Sequence, residues 1–110
     1  MNSRLISFLE ILKRGRQIAF GLDRLKDLKA KDTALIIVLS TASERTKKEA
    51  CNIAKRNDAP LLKLNSSALF ENETTHRLSV ITVLNKNANQ KIFSLLKEGD
   101  TYEWKTPKLS

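Results

Sequence analysis

Six consecutive apolar residues, ALIIVL at positions 34–39, constrain this chain more than any other stretch. The run is too short to cross a bilayer, which takes about 20 residues, and its length and β-branched content fit a strand buried on both faces. Such a strand needs a sheet around it. Ser40, Thr41, Ala42 and Ser43 then break the run with residues that favour turns and helix caps, and positions 44–57 take up a helical period. Strand, polar turn and helix make half of a βα unit.

Around that unit the chain alternates. Leu5, Phe8, Leu9 and Leu12 fall at i, i+3, i+4 and i+7, which predicts an amphipathic first helix ended by Gly15. Residues 17–20 read as a short strand, and Gly21 separates it from a second helix on the Leu22, Leu25, Leu28 spacing, expected to run to about Lys31 and Asp32. The helix at 44–57 is expected to bury Thr46, Ala50, Ile53 and Ala54. After the break at Asn57, Asp58 and Pro60, residues 61–64 form a short strand and 68–71 a brief helix. A polar loop over 72–76 follows, then a buried strand over 78–84, and a last helix on Ala88, Ile92, Leu95 and Leu96 that Gly99 stops. This pattern predicts a single α/β domain over 1–99, with about four strands between helices, and a C-terminal tail over 100–110.

Composition narrows the function. At 110 residues, with three glycines and two prolines, the chain has the size and regularity of one folded domain. Its formal net charge of +8 draws a small domain towards polyanions, nucleic acid foremost, and also serves solubility. The excess lies towards the ends: eight Lys/Arg against three Asp/Glu over 1–31, six against six over 32–75, and six against three over 76–110. Cys51 and His76 are each alone in the sequence, so no internal disulfide and no Cys/His zinc site can be assembled. A reducing, cytoplasmic setting is expected, with no membrane segment. Glu10 interrupts the apolar opening, which reads as a retained helix rather than a signal peptide.

Catalytic chemistry finds little support in the residues. The three glycines, Gly15, Gly21 and Gly99, build neither a phosphate loop nor a dinucleotide fingerprint. His76 has no neighbouring nucleophile or carboxylate pattern, Cys51 reads as a packed helical residue, and Ser40, Thr41 and Ser43 are accounted for by the turn and the helix cap they make. The expectation is a protein that is not an enzyme and carries no cofactor or metal.

Three segments in order carry a family likeness: LIIVLSTASERTKK at 35–48, NDAPLLKL at 57–64 and RLSVITVLNKNA at 77–88. They resemble the kink-turn RNA-binding ribosomal proteins of the large-subunit L-seven-Ae and L-thirty-e type, especially small bacterial members, over about residues 3–97. The resemblance implies a three-layer α/β/α sandwich with a four-stranded mixed sheet, and RNA, ribosomal or otherwise structured, as partner, with ribosomal proteins as further neighbours. It implies three contact places: Gly21, Leu22, Asp23, Arg24, Lys26 and Asp27 at the start of the second helix; Ser40 and Thr41 in the turn after the central strand; Thr74, Thr75, His76 and Arg77 before the last strand. A helix start and exposed turns of this kind offer N–H groups to phosphate and side chains to unstacked bases.

The chain departs from the family where contact is implied. Members that bind kink-turns open the second helix with Gly-x-Asn-Glu-x-x-Lys, and here the stretch is Gly-Leu-Asp-Arg-Leu-Lys-Asp. Only the glycine matches. Asp27 stands where the family has lysine, and Lys26 is turned about 100° around the helix from that position. Two expectations follow: a ribosomal-type RNA binder acting through Lys13, Arg14, Arg16, Arg24, Lys26, Arg45 and Lys47, or a relative that kept the sandwich and became a protein-interaction or ribosome-associated module.

Overall fold

The computed structural model describes residues 3–65 and 79–103. Helix α1 (Ser3–Arg14) leads to strand β1 (Ile18–Phe20), helix α2 (Leu22–Asp27), a 3₁₀ turn (Ala30–Asp32), the central strand β2 (Leu35–Leu39) and helix α3 (Glu44–Asn57). Strands β3 (Leu61–Leu64) and β4 (Val80–Val83) and helix α4 (Asn87–Leu95) complete it. The four strands form one mixed sheet in the order β1-β4-β2-β3. β4 runs antiparallel to both β1 and β2, with Ile18 opposite Val83 and Val38 opposite Val80, while β2 and β3 are parallel, with Ile36 opposite Leu61.

Alternation along β2 builds two cores. Leu35, Ile37 and Leu39 face a layer with Leu5, Leu9 and Leu12 of α1 and Ala88 and Ile92 of α4. Ile36 and Val38 face the opposite layer, with Leu25 of α2 and Ala50, Ile53 and Ala54 of α3. The molecule is therefore a three-layer α/β/α sandwich, and all five residues of β2 are buried, as the apolar run predicts. β4 is buried along its length too, because it lies between β1 and β2. Small residues at positions 50 and 54 let α3 sit close on the sheet.

Two boundaries differ from expectation, and one helix end is made in an unexpected way. The second helix does not reach Asp32. Leu28 is extended, at φ −79° and ψ 142°, and the following 3₁₀ turn buries no residue, so nothing apolar holds a longer helix to the sheet. The first helix ends at Arg14, directly before Gly15, as expected, but the reversal that follows is made one residue later. Arg16 takes the left-handed conformation at φ 57°, and the amide of Gln17 donates to the carbonyl of Leu12 at 2.9 Å, closing the helix end.

The expected tail does not leave the domain at Asp100. Asp100 is buried, its carboxylate accepts from the Lys97 amide at 2.7 Å, and its carbonyl accepts from the Asn65 amide at 2.7 Å. Thr101 pairs antiparallel with Leu64, and the Tyr102 amide donates to the Lys63 carbonyl at 3.2 Å. These residues cover the outer edge of β3, where unpaired backbone groups otherwise invite association. The brief helix expected at 68–71, the loop over 72–76 and the tail from Trp104 onward lie outside the described residues.

Candidate nucleic-acid interface

Strand directions decide what meets at the candidate site. β1 and β2 both end, and β4 begins, at one edge of the sheet, since β4 is antiparallel to its two neighbours. The Gly21 amide donates to the Val80 carbonyl at 2.8 Å, the Leu39 amide to the Ser79 carbonyl at 2.9 Å, and the Ser40 amide to the Leu64 carbonyl at 3.0 Å. The start of α2, the turn after β2 and the approach to β4 are thereby brought to one end of the molecule, although they are far apart in sequence. Thr74, Thr75, His76 and Arg77, expected as the third contact place, lie outside the described residues.

Gly21 turns the chain into α2 with φ 91°, a conformation that disfavours a side chain. Behind it Leu25 is fully buried against Ile36 and Val38, with Leu22 half-buried against the same core, and Asp23, Arg24, Lys26 and Asp27 of α2 are exposed. Phe20, Gly21, Leu22, Asp23, Arg24 and Asp27 line an open groove of about 590 Å³, together with Thr46 of α3 and Ser79. Arg24 is exposed and brings positive charge to this groove, and Asp23 and Asp27 bring negative.

Lys26 does not share it. Its ammonium lies 3.3 Å from Glu49 of α3, and Arg45 donates to the other Glu49 oxygen at 3.2 Å. Two residues expected as phosphate cations are thus joined to a carboxylate that sequence reasoning passed over. The hydrogen bond from Arg45, followed by that from Lys26, holds the Glu49 carboxyl below its ordinary value. The sequence signal was the i,i+4 spacing of Arg45 and Glu49, whereas the link from Lys26 needs the packing of α2 on α3.

Ser40 is half-buried and Thr41 exposed at the same end of the sheet, outside the groove lining. The cap of α3 is Ser43, whose hydroxyl oxygen accepts from the Thr46 amide at 3.1 Å, an interaction worth about 1 kcal/mol. Lys47 leaves only 11% of its side chain exposed, stacked 5.0 Å over the Tyr102 ring and 3.7 Å from Glu44. Lys13 reaches across to the Phe20 ring at 6.0 Å. Arg14 and Arg16 precede β1 and so lie at the opposite end of that strand from Gly21, whereas Lys13 reaches Phe20 beside the groove.

No cluster of three or more His, Cys, Asp or Glu among the described residues is arranged to hold a metal ion, and no described helix is long and apolar enough to cross a membrane. No protein-family model and no curated protein sequence matches the chain. Among solved structures, a protein of unknown function from Bacillus halodurans C is similar to it, with a TM-score of 0.71 and 23% sequence identity over 84% of this chain and 96% of that one. At that identity the likeness shows a shared α/β fold and nothing about activity.

Proposed function

We propose that this chain is a ribosomal-type RNA-binding protein that contacts structured RNA at the end of the sheet formed by Gly21, the start of α2, the turn at Ser40 and Thr41, and Ser79. The observation that carries the reading is topological. The order β1-β4-β2-β3 gathers the segments that the family resemblance names as contact places, as far as they are described, beside the exposed Arg24. The net charge of +8 supports it. With Lys26, Arg45 and Lys47 occupied by protein partners, recognition rests on shape and a few phosphates more than on a broad basic face.

The test is fluorescence anisotropy of the full chain against a kink-turn hairpin, a straight duplex of equal length and a ribosomal RNA fragment, titrated over salt. Binding to bent or folded RNA is expected to exceed binding to the duplex, with a log–log salt slope of about −2 to −4 for a handful of neutralised phosphates. No salt-sensitive binding to any of the three defeats the proposal.

Asp23 and Asp27 in the groove wall favour a second reading, a module of the same fold that recognises protein. Carboxylates there repel phosphate. If Asp23→Asn with Asp27→Lys raises kink-turn affinity by an order of magnitude or more, the native groove is not shaped for that RNA and the second reading gains.

A further inference from the structure

On the face of the sandwich away from α2 and α3, α1 and α4 pack side by side and leave an apolar groove that the RNA reading does not use. It is open, about 440 Å³, and lined by the apolar Phe8, Ile11 and Leu95, by Ser3 and Ser7, and by the cations Arg4 and Lys91. Ile11 is 59% exposed, although it is large and aliphatic and lies in the last turn of α1. No residue lining the groove is acidic, and neither Arg4 nor Lys91 is in an ion pair with a carboxylate among the described residues.

An apolar lining that carries two cations and no carboxylate selects its occupant. A second copy of this chain is disfavoured, because each molecule carries +8 and a two-fold contact would crowd the same Arg4 and Lys91 into one interface. A nucleic-acid backbone would meet the cations and leave the apolar lining uncovered. A helix that lays leucine-like side chains on Phe8, Ile11 and Leu95 and sets carboxylates against Arg4 and Lys91 satisfies both parts. The lining runs along α1 from Ser3 to Ile11, a rise of about 12 Å, which matches about two turns of a docked helix.

We propose that the α1–α4 groove is a docking site for an acidic amphipathic helix of a partner protein. Charge complementarity fixes the sign of the partner, and the exposed Ile11, at one end of the groove, is its most accessible apolar contact. The proposal does not depend on the RNA reading, since the two sites lie on different layers of the sandwich.

The experiment uses the full chain and a fluorescein-labelled helical peptide of about 18 residues, with leucines at i, i+4 and i+7 and glutamates flanking them. A control peptide carries lysine at every glutamate position. The acidic peptide is expected to bind and the basic one not. Ile11→Glu weakens binding about tenfold or more, and Arg4→Glu combined with Lys91→Glu reverses the preference, so that the basic peptide binds and the acidic one is lost. All three positions are exposed, and circular dichroism confirms that the variants stay folded. Absence of acidic-peptide binding overturns the proposal, as does binding without the reversal. Two further results overturn it by naming another occupant: concentration-dependent dimers abolished by Ile11→Glu, or RNA affinity lost in the charge-reversed variant when no peptide binds.

Discussion

Tyr102 and Glu49 show how single side chains near the candidate interface respond to protons. Tyr102 is the chain's one tyrosine, and its hydroxyl is buried with no hydrogen-bond partner among the described residues. Burial, with the Glu44 carboxylate adding to it, pushes the phenol up to about 12. The native state therefore keeps a proton that the unfolded chain releases. The stability tied to it is whole below about pH 10 and is lost as pH rises from about 10 to about 12. A near-ultraviolet absorbance titration of the folded protein should show a midpoint near 12. Tyr102→Phe keeps a ring under Lys47 and deletes the unpartnered hydroxyl, so it should flatten the alkaline loss and leave neutral stability unharmed in urea titrations. Glu49 has the opposite sign. Its carboxyl is held low by Arg45 and Lys26, so its contribution is present above the unfolded value and fades as pH falls through the native one. Glu49→Gln should lower the urea midpoint slightly at neutral pH and converge with the parent protein in acid. The same change releases two cations beside the groove. On the RNA reading, anisotropy should show tighter binding.

At the scale of elements, α2 and α3 hold their places by different means. α3 has fourteen residues, a hydroxyl cap at Ser43 and a left-handed closure at Asp58, so much of its order is local. α2 has six residues and no side-chain cap, and Leu25 is its one fully buried residue. A helix that short depends on packing. Leu25→Ala should cost about 2–5 kcal/mol in urea unfolding. It should also weaken RNA binding beyond what stability explains, because α2 carries the groove wall, while peptide binding at the α1–α4 groove is unaffected.

For the whole molecule, the edges of the sheet matter as much as its core. β3 is an outer strand, and residues 100–102 shield it through the Thr101 bridge to Leu64 and the two backbone bonds beside it. A chain ended at Gly99 exposes that edge and frees the Lys97 and Asn65 amides that Asp100 serves. It should melt at a lower temperature than a chain ended after Glu103 and scatter light increasingly with concentration. An unchanged melting temperature for the Gly99 truncation would show that these contacts contribute nothing.

Elements whose signal is local were legible in the sequence. The apolar run at 34–39 announced a doubly covered strand because six buried positions in a row leave no solvent face, and the bounds of α3 and β3 followed from Ser43, Asp58 and Pro60. The left-handed Arg16 was hidden, because a positive φ at a non-glycine residue has no mark in composition. Hidden too was the covering of β3 by residues 100–102, a pairing across more than thirty positions whose reward is the satisfaction of backbone groups rather than an apolar pattern. The candidate interface divided in the same way. Gly21 and the carboxylates of Asp23 and Asp27 could be read directly. Tertiary structure alone decided that Lys26 turns to Glu49, that Arg14 and Arg16 sit at the far end of β1, and that three distant segments share one edge of the sheet. Periodicity reports which way a side chain points from its own helix or strand, while the partner it finds depends on strand order, which no local pattern encodes.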